Sequence, residues 1–230
     1  MTVDILIRTY HKDLNWLAHA LRSIQMNVTG HRRVIVAIPN AGLLSHLTAE
    51  TVVQVDDLTD GYIGQQLTKM EAWRYTDADA VLFWDSDTIA TEPVNVSEWL
   101  KDGKPHIWKT RYSEIDTPWQ GITEYAVGFP VEWEYMRRMP LLYRTSTLFN
   151  ACEYMQGVHK KSMRDYLDSL PHRSFSEFNA IGAFAERFEA DDYTFEDTNV
   201  ADMPRNKCRQ FWSWSGLDSK DLAEIKSYIG

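Results

Sequence analysis

Two carboxylates stand two residues apart in Asp85-Ser86-Asp87, directly after the unbroken apolar run Ala80-Val81-Leu82-Phe83-Trp84. Carboxylate oxygens are hard ligands that suit Mg2+ and Mn2+. A divalent cation held there would template a phosphate group and act on it as a Lewis acid. If the strand continues through them, alternation puts Asp85 and Asp87 on a shared side. In a turn they could still converge on one ion, directly or through water. An isolated Asp-x-Asp is common, however, and reads equally as a solvated turn at a strand end. Only its position among the other elements separates the two.

Val3-Asp4-Ile5-Leu6-Ile7 reads as a buried strand leading into Arg8-Thr9-Tyr10. Asp13 is placed to N-cap a helix in which Leu14, Leu17, Ala18, Leu21 and Ile24 recur at helical spacing. Arg33 to Gly42 is a second strand closed by a Pro/Asn/Gly turn. Thr51-Val52-Val53-Gln54-Val55 is a third, ending on Asp56-Asp57. Gly61 and Gly64 read as flanking a turn before a helix marked by Ile63, Leu67, Met70 and Trp73. The fourth strand delivers Asp85. Such alternation predicts an α/β fold with a mostly parallel central sheet flanked by helices. Ligands of open parallel sheets bind beyond the carboxyl ends of the strands, where strand order reverses. Arg8, Thr9, Tyr10, Asn40, Asp56, Asp57, Asp85, Ser86 and Asp87 are therefore expected on one rim. Crowded acids there call for a cation, which favours metal ligation by Asp85 and Asp87.

The second half is less regular. Lys104 to Thr110 reads as a strand, and helices are expected at Val131–Arg138, Ser146–Val158, Lys160–Leu170 and Phe175–Phe188. Tyr193 to Glu196 reads as an edge strand, and a terminal helix follows Asp218. Arg111, Trp119 and Glu124, in an aromatic-rich stretch, are candidates for lining a pocket. Residues 1–110 and 111–230, the second mainly helical, are read as two halves of one continuous domain.

A net charge of −9 over 230 residues lacks the broad basic footprint of a nucleic-acid binder. Arg137-Arg138 and His159-Lys160-Lys161 read as solvated helix faces. Cys152 and Cys208 lie far apart without metal-type spacing, which suits a reducing compartment. No apolar run reaches membrane-span length and the N-terminus does not read as a signal peptide, so a cytoplasmic protein is expected.

The first strand and helix, the acids closing the third strand, and "LFWDSDTI" together resemble glycosyltransferases of the GT-A fold. That family carries a DXD motif after a hydrophobic strand. The Tyr-x-x-Gln-Gln-x-x-Lys pattern of Tyr62 to Lys69 is similar to small bacterial and viral members. The resemblance implies a Rossmann-like GT-A fold, with residues 1–110 as the nucleotide-sugar-binding half, residues 111–230 as the acceptor-binding half, and Arg111, Trp119 and Glu124 as candidates for shaping sugar and acceptor pockets. It also implies metal-dependent transfer of a hexose or pentose from a nucleotide-diphosphate sugar, with a UDP-sugar as expected donor and Mn2+ or Mg2+ as cofactor. Carried over, Asp87 touches the metal, and Asp85 holds it through water or meets the ribose. Arg8, Thr9 and Tyr10 seat base and ribose. Asp56 or Asp57 accepts from the base edge. Ser86, Gln66 and Lys69 belong to the donor site, Lys69 meeting a phosphate or pairing with an aspartate. Glu177, near a helix start, resembles the general base beneath the acceptor hydroxyl. Its alternative is a favourable place on a helix dipole while Ser174 or Ser176 caps.

Relatives supply a metal-binding His near the C-terminus, but none follows His172 here. Water or Asp218 would fill that place, Lys207 and Arg209 would reach the diphosphate, and Trp212 and Trp214 would fold over the donor or pack on the core. Two rival functions stand beside this one: a nucleotidyltransferase and a non-catalytic nucleotide- or glycan-binding protein. The former usually carries a glycine-rich grip after the first strand, where this chain reads "RTYHKDLNWL". Acceptor classes stay open, from protein and saccharide to a modified DNA base.

Overall fold

A computed structural model describes residues 1–40, 51–137, 139–197, 206–213 and 216–230. The first half runs β1 (Val3–Arg8), α1 (Leu14–Asn27), β2 (Val28–Thr29), β3 (Val34–Ile38), β4 (Thr51–Gln54), α2 (Gly61–Met70), β5 (Ala80–Asp85), β6 (Thr88–Ala90), β7 (Val94–Asn95), β8 (Leu100–Lys101) and β9 (Lys104–Arg111). The second half adds α3 (Trp119–Val127), β10 (Trp133–Glu134), β11 (Leu141–Arg144), α4 (Thr145–His159), α5 (Met163–Asp168), α6 (Glu177–Phe188), β12 (Thr194–Asp197), β13 (Cys208–Gln210) and α7 (Ser219–Ile229).

The central sheet has the order β11-β5-β1-β3-β4. Four strands are parallel, and β11 is antiparallel to β5 at one edge. From β1 the chain passes outward through β3 and β4, then returns to place β5 on the other side of β1. Strand order therefore reverses between β1 and β5, the place where such sheets bind ligands. In-register pairing sets Arg8 directly opposite Asp85 there.

Side-chain alternation sorts the strands into two cores. Ile5, Ile7, Val36, Leu82 and Trp84 face Leu17 and Ile24 of α1. Leu6, Ile35, Val81 and Phe83 face the other way, onto Leu67 and Met70 of α2, Met155 of α4 and Ile181 and Phe184 of α6. Burying each large apolar side chain stabilises the fold by about 1.5–3 kcal/mol. Phe83, Tyr143 and Phe178 add ring contacts at centroid separations of 5.3 to 6.4 Å. The one charge in β1, Asp4, is fully buried but accepts from Arg32 at 2.8 Å and Arg33 at 3.0 Å. Burial alone would raise its pKa; bonds from Arg32, Thr76 and Arg33 more than offset this and lower it.

Several sequence expectations change. Val131–Arg138 is not a helix: Pro130 and Pro140 bracket it, and Trp133–Glu134 instead extends the ladder of β9, with Arg137 paired to buried Glu134. Arg137 is thus no solvated helix face, and Arg138 lies outside the described residues. Gly61 and Gly64 lie inside α2, whose N-cap is Asp60, accepting from Tyr62 N at 2.8 Å. The Lys160–Leu170 helix shortens to α5, because Lys160 takes a left-handed φ of 54° and Ser162 caps the new start. Beyond the central sheet, β9 pairs with β10 and β12 in a separate sheet, in keeping with the strands expected at Lys104–Thr110 and Tyr193–Glu196. Among the described residues no helix is long and apolar enough to cross a membrane.

Candidate functional site

The tip of β5 and the turn after it bring Asp85 and Asp87 together. Gln210 Nε2, on β13, donates to Asp85 Oδ2 at 3.1 Å and to Asp87 Oδ1 at 3.4 Å. One amide nitrogen thus touches both carboxylates. The antiparallel pairing of β13 with β6 puts Gln210 opposite Thr88 and holds it in this register. Ser213 N donates to Asp87 Oδ2 at 2.7 Å, and Phe211 N donates to the Asp87 carbonyl at 3.0 Å. Asp87 is buried at 6 % exposure. Its pKa is raised, first by burial and then by the charge of Asp85, against the bonds from Ser213 and Gln210.

Around this pair the rim is polar, with Arg8, Gln66, Lys69 and Glu177 buried and Asp57 exposed. Arg8 Nη2 meets Asp57 Oδ1 at 3.2 Å and Arg8 Nε donates to Thr68 Oγ1 at 3.3 Å. Asp57 can approach because residue 64 is glycine: a Cβ there would stand 2.0 Å from Asp57 Oδ1. Lys69 Nζ lies 2.9 Å from Asp85 Oδ1 and 3.1 Å from Glu177 Oε1. Burial alone would lower the Lys69 pKa; the charges of Asp85 and Glu177 more than offset it, and the net shift is upward. Gln66 Oε1 accepts from Glu177 N at 3.3 Å, so the two residues picked out one turn apart on α2 both grip the start of α6. Ser176 holds the N-cap position of α6 without a side-chain cap bond.

The remaining expected residues divide. Thr9 is buried, and among the described residues its hydroxyl has no hydrogen-bond partner. Ser86 is buried beside them, its Oγ 3.5 Å from Asp13 Oδ2. Tyr10 is 41 % exposed, its ring edge-on to His11. Asp56 is exposed and faces Arg164 at 3.6 Å. Arg111 pairs with Glu132 and lies over the Trp133 ring. Lys207 pairs with Glu98 at 2.8 Å, and Arg209 with Glu224. Alternation along β13 explains this: Gln210 faces the acids and Arg209 does not. Asp218 caps α7 through Lys220 N and Asp221 N. Trp119 lies at the start of α3, and Glu124 accepts from Val131 N. Trp214 lies outside the described residues.

Three site residues escaped the sequence reading: Gln210, Ser213 and the role of Asp13. Asp13 stands at the N-cap position of α1 but makes no cap bond. Its carboxylate turns instead toward Ser86 Oγ and toward Ser213 Oγ at 3.4 Å. Burial and the charge of Asp87 push its pKa from the ordinary 3.8 up to about 6. The folded form therefore holds this proton more tightly than the unfolded chain. The stability it contributes is full below pH 3.8 and is lost as pH rises through about 6. Asp13→Asn is accordingly expected to stabilise the metal-free protein at pH 7.5 by about 1–2 kcal/mol, a Tm rise of several degrees, and to leave it near wild type at pH 4. Thermal melts at both pH values check this.

Among the described residues no group of three or more His, Cys, Asp or Glu side chains is arranged to hold a metal. Two converging carboxylates nevertheless fit Mg2+ or Mn2+ of the kind that keeps several waters and shares substrate phosphates. Two clefts, of about 480 and 510 Å3, lie elsewhere: one around Ala78, Arg144 and Thr145, the other around Tyr125, His159 and Tyr166. Compared with protein-family models and with curated proteins, the chain finds no match in either.

Proposed function

We propose that this chain is a metal-dependent glycosyltransferase of the GT-A type, moving a sugar from a nucleotide-diphosphate sugar, a UDP-sugar in first place, to an acceptor hydroxyl. The observation that carries it is the meeting of Asp85 and Asp87 at the point where strand order reverses, bridged by one Gln210 nitrogen. When bound, Mn2+ or Mg2+ would supply Lewis-acid stabilisation of the departing diphosphate.

The protein's own groups take the other roles. Asp85 and Asp87 present oxygens toward one another's side of the rim. Exposed Tyr10, next in chain to the buried Arg8 and Thr9, offers a ring for the base to stack on. Glu177 has one oxygen engaged by Lys69, which leaves Oε2 to take the acceptor proton as transfer proceeds.

A thermal-shift series with UDP-sugars, with and without Mn2+, tests this. A ligand at a hundred times its Kd adds about 2.7 kcal/mol to the native state. A Tm rise that needs both sugar nucleotide and Mn2+ is expected. A series in which no nucleotide sugar shifts Tm in either condition would falsify the reading.

A further inference from the structure

Lys69 is, with Arg8, one of two buried cations described on the rim. It reaches two acids from different parts of the chain, Asp85 at the tip of β5 and Glu177 at the start of α6. The side chains of Lys69, Asp85 and Glu177 are 7, 23 and 8 % exposed. Its ammonium also lies 4.9 Å from the centroid of the Phe178 ring. Three charges this far out of water are tolerated only if their geometry is well satisfied. The ammonium is not free to swing toward a phosphate without abandoning both acids. It also divides each carboxylate. Asp85 gives Oδ1 to Lys69 and turns Oδ2 toward Gln210 and Asp87. Glu177 gives Oε1 to Lys69, while its backbone N–H is held by Gln66.

We propose that Lys69 is the resident counter-ion of this site, a positioning residue that ties Asp85 to Glu177 and holds down the affinity of the Asp85–Asp87 pair for a divalent cation. The inference rests on the metal-dependent reading above. A dication at Asp85 Oδ2 must tolerate a positive charge on the opposite oxygen of the same carboxylate. That repulsion weakens binding of the metal alone. Removing the ammonium also leaves the buried Glu177 and the half-buried Asp85 without their counter-charge, so the metal-free site would gain more from any cation that arrived.

The test is a Mn2+ titration of donor-free protein, following free Mn2+ by electron paramagnetic resonance. Lys69→Met is expected to bind Mn2+ roughly tenfold or more tightly than wild type, since a full charge within hydrogen-bond distance is removed. Lys69→Arg keeps the charge and should stay within about threefold of wild type. Should Lys69→Met fail to fold, Lys69→Met/Glu177→Gln removes one charge of each sign and carries the same expectation. Equal or weaker Mn2+ binding by the folded variant, with Mn2+ still bound by wild type, overturns the inference and leaves the transferase reading standing. Mn2+ bound by no variant, with or without UDP, overturns the metal reading and this inference with it.

Discussion

Asp87→Asn is expected to lower metal-dependent donor cleavage by a factor on the order of 10²–10³ while raising the Tm of the metal-free protein. The two effects have one cause. Asp87 is buried beside Asp85, and its pKa is raised by burial and by that neighbour's charge. A charged Asp87 therefore costs native stability at neutral pH, a penalty that grows as pH rises above the ordinary 3.8. Asparagine keeps an acceptor for Ser213 N, so the C-terminal segment stays anchored. The charge that offsets a dication and the leaving diphosphate is gone. Function and stability should thus move in opposite directions, as at sites that hold electrostatic strain for a ligand. Melts with and without Mn2+, paired with a UDP-sugar hydrolysis assay, read both. Wild-type Mn2+-dependent turnover in the variant would remove Asp87 from the metal site. A fall in the metal-free Tm would show that its carboxylate is structural.

The parallel sheet was legible because its strands carry a strong local signal. β1, β3 and β5 are buried on both faces and so read as near-continuous apolar runs. The acids at the end of β5 announce themselves as the first polar residues after such a run. Gln66 reads from the sequence as a donor contact and Lys69 as meeting a phosphate or pairing with an aspartate, and the pair with Asp85 is present; their grip on Glu177 depends on how α2 and α6 pack, which spacing along α2 cannot reveal. β11 was missed. Four residues, Leu141–Arg144, follow a proline and run straight into α4, and only pairing with β5 makes them a strand. Gln210 and Ser213 were missed for a related reason. They lie more than 120 residues from Asp85 and Asp87 and reach them only because β13 adds to β6. The alternation Cys208-Arg209-Gln210 was the only available signal, and it says which residues share a side without saying which side meets the acids. Asp13 shows tertiary context overriding a local rule. Its type and place suit an N-cap, yet its carboxylate is drawn to two serine hydroxyls at the rim.

Glu177→Gln should separate chemistry from architecture on the acceptor side. Glutamine keeps an oxygen that accepts from Lys69, and Lys69 keeps Asp85, so no buried charge is left without a partner. The cost to folding is expected to be about 1 kcal/mol, against the several expected where a buried ion pair loses its only partner. A general base is worth about 10²–10⁴ in rate, so kcat for transfer should fall by that order. Donor affinity should stay within about threefold, because Asp85, Asp87 and Arg8 are untouched. Glu177 has a bland alternative as an acid that favours the positive end of the α6 dipole. That role predicts a loss of Tm and parallel losses in donor binding and transfer. The ratio of the kcat effect to the donor Kd effect, measured on one preparation, decides between them. A large ratio assigns Glu177 to the proton; a ratio near one assigns it to the helix.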